Sequence, residues 1–140
     1  VDGERARIAS VFYNRLKKNM PLQSDPTSVY DLPGFSGPVS SGHLKRQSPY
    51  NTYLIKGLPI GPICNPGRKS LEAALYPEAT NFLYFVSNMD GTHQFSATIT
   101  EHQQAVGQYR EKVKAAHEQA KPAQDAPVPT TGSLLHERSR

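Results

Sequence analysis

Residues 82–97 read Phe-Leu-Tyr-Phe-Val-Ser-Asn-Met-Asp-Gly-Thr-His-Gln-Phe-Ser-Ala. The part from Phe82 to Ser87 is rich in aromatic and β-branched residues, which is typical of a strand. Residues 88–92 contain Asp-Gly and supply a turn, and His93 to Ala97 supplies the returning strand. The sequence therefore predicts a β-hairpin.

Helices are predicted on both sides of this hairpin. From Glu4 to Lys18, apolar residues recur at i, i+3, i+4 and i+8, which indicates an amphipathic helix. Ser70 to Tyr76 is predicted as a short helix that ends before Pro77. After the hairpin, Thr100 followed three residues later by Gln103 has the pattern of a capping box for a long C-terminal helix.

The segment from Gln23 to Gly42 connects the first of these helices to the rest. Asp25 is a favourable N-cap and Pro26 is favoured at the first helical position, so a short helix is expected from there to about Leu32. Residues 33–42 are rich in glycine, proline and serine, which predicts a loop.

A second irregular region is predicted before the Ser70 helix. Tyr50 to Ile55 is expected to be a short strand or an extended segment. Residues 57–67 contain three prolines and three glycines and are predicted to follow a turn-rich path. Cys64 within them is expected to be a small buried hydrophobic residue. The fold class is therefore α+β, with several short helices, a β-hairpin, a long C-terminal helix and proline- and glycine-rich connecting loops.

Length and composition fit one domain. The chain has 140 residues, a net charge of +4 and one cysteine, so an intrachain disulfide is excluded. No apolar run reaches the roughly 18 residues of a membrane span, and the spread of basic residues disfavours nucleic-acid binding.

The start at Val1, without Met, indicates a fragment of a longer protein. We expect a domain over residues 1–120 and a disordered tail over 121–140.

The common catalytic signatures are missing from the sequence. There is no glycine-rich phosphate loop, no His-Glu-x-x-His, no Gly-x-Ser-x-Gly and no Cys/His cluster, so no cofactor or metal is expected. A nucleophile formed by Cys64 with His93 or His43 is disfavoured. His93 and His102 are expected to be solvated or part of the core, unless a carboxylate partner or a cleft position gives them an acid–base role.

Two polar segments have the residue types of a binding site. Residues 23–27 place an amide, hydroxyls and a carboxylate at a helix start, which is either a simple capped end or a site where Gln23 meets a hydroxyl-rich ligand. Residues 48–53 mix aromatic, amide and hydroxyl side chains, a combination that binds sugars but also occurs in an ordinary strand with tyrosines in the core.

Several motifs together resemble one family. They are Glu-Arg-x-x-Ile-Ala-Ser-Val-Phe-Tyr-Asn-Arg-Leu at 4–16, Leu-Gln-Ser-Asp-Pro-Thr at 22–27, Ser-Pro-Tyr-Asn-Thr-Tyr at 48–53 and Gly-Leu-Pro-Ile-Gly-Pro-Ile-Cys-Asn-Pro-Gly at 57–67. In this order and spacing they resemble the YceG-like family, also called MltG, whose members are endolytic peptidoglycan transglycosylases. The chain resembles the C-terminal part of the catalytic domain, over residues 4 to about 109.

The resemblance implies a reaction and a place for it. Members cleave the bond between N-acetylmuramic acid and N-acetylglucosamine without water, leaving a 1,6-anhydro end, and one glutamate serves as acid and then as base. In the family that glutamate precedes the Glu4 motif, so no catalytic residue is expected in this chain and the fragment is expected to be inactive. Glu4 itself is expected to cap the helix or form a salt bridge.

The resemblance also implies partners and a location. Peptidoglycan glycan strands are the expected partner, with cell-wall synthesis proteins as further candidates. The catalytic part is expected outside the cytoplasm, in the periplasm, held at the inner membrane by an upstream anchor. The expected substrate-binding residues are Gln23, Ser24, Thr27, Tyr50, Asn51, Thr52, Tyr53 and Asn65.

Three alternatives remain open at this point. The chain could be a non-catalytic peptidoglycan-binding module, or a structural domain that contacts cell-wall synthesis proteins through its last helix. An older family label, aminodeoxychorismate lyase, names a different chemistry. No lysine in the sequence stands in a recognisable pyridoxal phosphate setting, so this label has no support in the residues.

Overall fold

The computed structural model describes residues 2–120, which form four α-helices, two short 3₁₀-helices and one two-stranded sheet. The elements are a 3₁₀-helix at Asp2–Glu4, α1 at Arg5–Lys17, a second 3₁₀-helix at Asp25–Ser28, α2 at Ser41–Leu44, α3 at Arg68–Leu75, β1 at Tyr84–Ser87, β2 at His93–Ser96 and α4 at Ile99–Ala120. The predicted α+β class is confirmed. The predicted disordered tail lies outside the described residues.

The hairpin is confirmed with slightly shorter strands. β1 and β2 pair antiparallel, with Phe85 opposite Phe95. Asn88 closes the turn, since its backbone N–H donates to the Thr92 carbonyl and its side-chain amide to the Thr92 hydroxyl, both at 2.9 Å. Gly91 has φ +86°, a left-handed conformation that glycine adopts without steric penalty.

Helix α1 is the element on which the rest is assembled. Its apolar stripe buries Val11, and Phe12 meets Phe85 of β1 edge to face with ring centres 6.0 Å apart. Its polar side binds the chain that leads into β1. The Asn14 amide donates to the carbonyls of Thr80 and Phe82, each at 2.9 Å. Both sides of the helix are therefore used, one for packing and one for hydrogen bonding.

Helices α3 and α4 complete the fold from two directions. α3 packs on α1, where the Tyr13 hydroxyl donates to the Ala74 carbonyl at 2.7 Å. α4 packs on the hairpin and buries Ala105. None of the helices described between residues 2 and 120 is both long and apolar enough to cross a membrane.

The predicted cap of α4 is wrong by two residues. Thr98 accepts a hydrogen bond from the Glu101 backbone N–H at 3.3 Å, and the Glu101 carboxylate accepts from the N–H groups of Ala97 and Thr98. The capping pair is therefore Thr98 and Glu101 rather than Thr100 and Gln103. A carboxylate is a better partner than a neutral amide for free N–H groups at the positive end of a helix, which explains why Glu101 rather than Gln103 is the capping residue.

The predicted helix after Asp25 is a single 3₁₀ turn, and Asp25 is not its N-cap. Ser24 occupies the capping position, and Asp25 is the first residue of the turn. Its carboxylate instead accepts a hydrogen bond from the Tyr53 hydroxyl. The turn is held by Thr27, whose backbone N–H and hydroxyl both donate to the Ser24 carbonyl.

Residues 50–55 form turns rather than a strand. Asn51 is fully buried, and its amide donates to the carbonyls of Leu44 and Arg46 while its side-chain oxygen accepts from the Tyr53 N–H. Its backbone carbonyl accepts from residues 54 and 55, as in a helical turn. One side chain thus satisfies backbone groups that a sheet partner would otherwise pair, which favours the turn.

Two further expectations for the loops need correction. Residues 33–42 are irregular as predicted, except that α2 begins at Ser41, where Ser40 and His43 form a reciprocal cap. Cys64 is exposed, not buried. The segment of residues 57–67, rich in proline and glycine, lies at the surface, where Leu58 and Ile60 are also exposed. Cys64 therefore does not reach the core.

We predict that Asn51→Ala lowers the free energy of unfolding by roughly 2–4 kcal/mol, because three backbone groups lose their partner inside the protein. Asn65→Ala is the matched control, since Asn65 is exposed and a surface change of this kind stays within about 0.5 kcal/mol. Urea unfolding followed by circular dichroism measures both. An Asn51→Ala loss no larger than the control would contradict the assigned role.

Candidate functional site

A cavity of about 540 Å³ lies where α1, the segment after it, the start of β1 and the first turn of α4 meet. Its polar lining consists of Arg15, Gln23, Ser24, Asp25, Tyr53 and His102. Its apolar lining consists of Val11, Phe12, Leu22, Pro26, Leu83, Tyr84, Phe85 and Ile99. The residues come from five separate parts of the sequence, the fifth being Tyr53, so the site exists only in the folded chain.

Arg15 is the buried centre of this site, with 7% of its surface exposed. Its Nε donates to the Leu83 carbonyl at 2.6 Å, and one terminal nitrogen donates to the Pro21 carbonyl at 2.7 Å. The same nitrogen reaches the Gln23 side-chain oxygen at 3.5 Å. Arg15 thereby fixes the segment after α1 and the entry to β1 relative to each other. Burial lowers the pKa of Arg15, yet a guanidinium remains charged at neutral pH.

Asp25 and Tyr53 form a hydrogen-bonded pair in the wall of the cavity. The Tyr53 hydroxyl donates to the Asp25 carboxylate. Burial, and then the hydrogen bond and negative charge of Asp25, raise the pKa of Tyr53 far above its ordinary range. Tyr53 is therefore a neutral phenol at any physiological pH, and Asp25 is an exposed carboxylate held in one orientation.

Gln23 and Ser24 are placed by backbone geometry. Gln23 has φ +50°, a left-handed conformation, and is exposed on the cavity. Its N–H donates to the Thr52 carbonyl at 3.2 Å, and the Ser24 N–H donates to the Thr52 hydroxyl at 2.9 Å. Hydrogen bonds to the buried Thr52 therefore fix the backbone of both residues, and their side chains can contact a ligand.

His102 and Tyr84 form the opposite wall. Their rings are stacked, with centres 4.9 Å apart and planes 19° apart, and the Arg15 guanidinium lies 4.9 Å from the centre of the Tyr84 ring. Burial, and then the charge of Arg15, lower the pKa of His102. The cavity thus combines aromatic surface with the hydrogen-bonding groups of Gln23, Ser24 and Tyr53, next to Arg15 and Asp25.

Of the eight predicted binding residues, Gln23, Ser24 and Tyr53 line this cavity. Thr27, Asn51 and Thr52 are buried behind it, where the hydroxyls of Thr27 and Thr52 lie 2.8 Å apart. The other two are not part of the lining. Tyr50 packs on the ring of Tyr30, and Asn65 is exposed in the segment of residues 57–67.

Glu4 joins the start of the described chain to β2, outside the cavity. Its carboxylate accepts hydrogen bonds from the His93 backbone N–H at 3.1 Å and ring Nδ1 at 2.9 Å. These bonds lower the pKa of the Glu4 carboxyl. The Glu4 side chain makes no capping bond with α1 and pairs instead with His93, which thus has a structural carboxylate partner. Within residues 2–120, no group of His, Cys, Asp or Glu side chains is arranged to hold a metal ion.

Sequence reasoning missed Arg15 and Tyr84 as site residues and gave His102 a role only on condition of a cleft position, which it has. A signal for Arg15 was present, because it stands seven residues after Ile8 on the apolar stripe of α1. A cation at that position of the helix is either buried with hydrogen-bond acceptors or turned toward solvent. Tyr84 and His102 gave no comparable signal, since their stacking depends on how α4 packs on the hairpin.

The YceG-like family matches residues 1–108, more than half of the chain. The chain belongs to the YceG-like family. A yceG-like protein of Listeria monocytogenes, solved by crystallography, is 52% identical and superimposes with a TM-score of 0.64 over 69% of this chain and 31% of its own. The structural likeness thus agrees with the sequence match.

Two curated relatives carry the name endolytic murein transglycosylase. The relative from Bacillus subtilis (strain 168) is 49% identical over 106 residues, which is 76% of this chain and 29% of the relative. The relative from Streptococcus pneumoniae serotype 2 (strain D39) is 30% identical over 112 residues, which is 76% of this chain and 20% of the relative. This YceG-like chain therefore spans less than a third of the length of either.

We predict that Arg15→Lys lowers the free energy of unfolding by at least about 2 kcal/mol. Lysine keeps the charge but cannot bond both the Leu83 and Pro21 carbonyls in this geometry, and each such charged hydrogen bond contributes about 1.5–3 kcal/mol. Arg110→Lys, at an exposed position of α4, is the control and should change little. Chemical unfolding of both variants gives the comparison. Equal stability of the two would contradict the role of Arg15.

Proposed function

We propose that this YceG-like chain is the glycan-binding part of a lytic transglycosylase. The parent enzyme would cleave the bond between N-acetylmuramic acid and N-acetylglucosamine in peptidoglycan and leave a 1,6-anhydro end. The family match and the relatives' name support the substrate class. The observation that carries the proposal for this chain is the cavity around Arg15, which combines aromatic rings with the hydrogen-bonding side chains of Gln23, Ser24 and Tyr53.

The composition of the cavity suits a sugar. Aromatic rings cover the apolar C–H faces of a sugar ring, while amides and hydroxyls bind its oxygens. Tyr53 and Tyr84 supply the rings, and Gln23 and Ser24 supply the polar groups. The volume falls within the roughly 300–1,000 Å³ of ligand pockets in proteins. We assign Gln23, Ser24 and Tyr53 to direct contact with the glycan.

The remaining predicted residues receive supporting roles. Thr27, Asn51 and Thr52 are buried, so we assign them to holding the backbone of residues 23–24 and Tyr53 in place. Tyr50 and Asn65 lie outside the cavity and would contact only a glycan strand that extends beyond it.

The catalytic acid is assigned to a part of the parent enzyme outside this chain. A general acid needs a carboxyl whose pKa is raised by an apolar setting. The pKa of Glu4 is shifted in the opposite direction, and Asp25 does not lie in an apolar setting. The pKa of Glu4 is lowered by His93, and Glu4 lies away from the cavity, whereas Asp25 is exposed and already bonded to Tyr53.

The proposed substrate sets the location. Murein is a cell-wall polymer, so this part of the enzyme would act outside the cytoplasm. We assign attachment to the inner membrane, and any docking to cell-wall synthesis proteins, to the parent enzyme as a whole.

The test of the reaction is digestion of purified sacculi, with the products separated and identified by mass spectrometry. We predict that the full-length parent releases muropeptides with 1,6-anhydro ends and that this chain alone releases none. Release of such products by the chain alone would contradict the assignment of the acid. Absence of anhydro products from the parent would contradict the proposed reaction, and retention of the chain on sacculi would then favour a non-catalytic binding module.

The test of the site is retention of the chain on insoluble peptidoglycan. Gln23→Ala should weaken binding by about 5- to 10-fold, the value of roughly one hydrogen bond, and should leave the melting temperature nearly unchanged. Because alanine and glutamine have a similar steric penalty at positive φ, the variant removes the contacts of the side chain without changing the backbone strain. Gln104→Ala, exposed on α4, is the control. A stability loss without a specific binding loss would show Gln23 to be part of the scaffold.

A further inference from the structure

His102 stands apart from the other polar residues of the cavity. Among residues 2–120, its Nδ1 is the buried side-chain nitrogen or oxygen that has no hydrogen-bond partner. The ring is nevertheless held firmly, because it stacks on Tyr84, which lies against the Arg15 guanidinium. The placement of this imidazole therefore comes from stacking, and its hydrogen-bonding capacity is not used by the protein.

The buried Nδ1 determines which form of the imidazole is stable. An N–H group at this atom would be buried without an acceptor, which is more costly than a buried lone pair. A doubly protonated ring would carry that same unsatisfied N–H, and it would also place a second positive charge near Arg15. The favoured form is therefore the neutral ring with its proton on Nε2.

The other titratable groups in the lining agree with this form. Arg15 is the cation in this lining, it lies over the Tyr84 ring, and its charge opposes protonation of His102. Tyr53 and Tyr84 are phenols, and Asp25 is already bonded to Tyr53. None of these lining residues thus accepts a hydrogen bond from the His102 Nε2–H group.

We propose that His102 contacts the substrate directly and donates a hydrogen bond from Nε2 to an acceptor oxygen of an N-acetylated sugar. The proposal rests on the proposed function, since it takes the cavity to be a glycan site. A neutral donor beside an aromatic face suits an uncharged sugar oxygen, either a hydroxyl or an acetamido carbonyl. His102 is then a specificity residue, and it takes no part in proton transfer.

The test uses the chain with soluble glycan strands, freed of their peptides by an amidase, as the probe. His102→Phe keeps the ring that stacks on Tyr84 but removes the donor, and should weaken strand binding by about 5- to 20-fold with the melting temperature preserved. His102→Gln restores a donor and should recover part of the affinity. His117→Phe, at an exposed position of the same helix, should bind as the wild type does.

A spectroscopic measurement accompanies the binding series. Long-range ¹H–¹⁵N NMR of the wild-type chain should show His102 protonated at Nε2 alone near neutral pH, and the Nε2 signal should shift when strands are added. Unchanged binding by His102→Phe, or a proton found on Nδ1, would overturn the role of His102 while leaving glycan binding intact. Wild-type chain that binds no strands would instead contradict the proposed function, and this inference with it.

Discussion

The buried guanidinium of Arg15 is the constraint on which the site depends. It is a charge on the apolar stripe of α1, and such a charge is stable inside a protein only when its donors are satisfied. The carbonyls of Leu83 and Pro21 supply those partners, so the segment after α1 and the entry to β1 must both approach the same helix. The cavity is the space left around this arrangement, and the Tyr84 ring in its lining contacts both Arg15 and His102.

The elements with a strong local signal could be predicted from the sequence. The apolar stripe of α1, the hairpin with its Asp-Gly turn and the long α4 are all present, because each is determined by residues close together in the chain. The errors came where side chains replace regular backbone pairing. Asn51 lies in a turn where the sequence predicts an extended segment, and its side chain bonds backbone groups of Leu44, Arg46 and Tyr53. The carboxylate of Asp25 accepts a hydrogen bond from Tyr53, a residue far away in sequence.

The site could be predicted only in part, for a related reason. Gln23, Ser24 and Tyr53 belong to short polar motifs, and the structure brings them together in the cavity. Thr27, Asn51 and Thr52 come from the same motifs but are buried, where their side chains bond the backbone and one another. Tyr84 and His102 are adjacent only because α4 packs on the hairpin, a contact that no local pattern specifies.

The most direct test of this account is to record ¹H–¹⁵N correlation spectra of the chain while peptide-free glycan strands are added. If the cavity is the glycan site, the largest backbone amide shifts fall on residues 22–25, 83–85 and 99–102, which supply most of its lining. Shifts that are largest in residues 57–67, or on α3, with the cavity residues unaffected, would contradict the central claim.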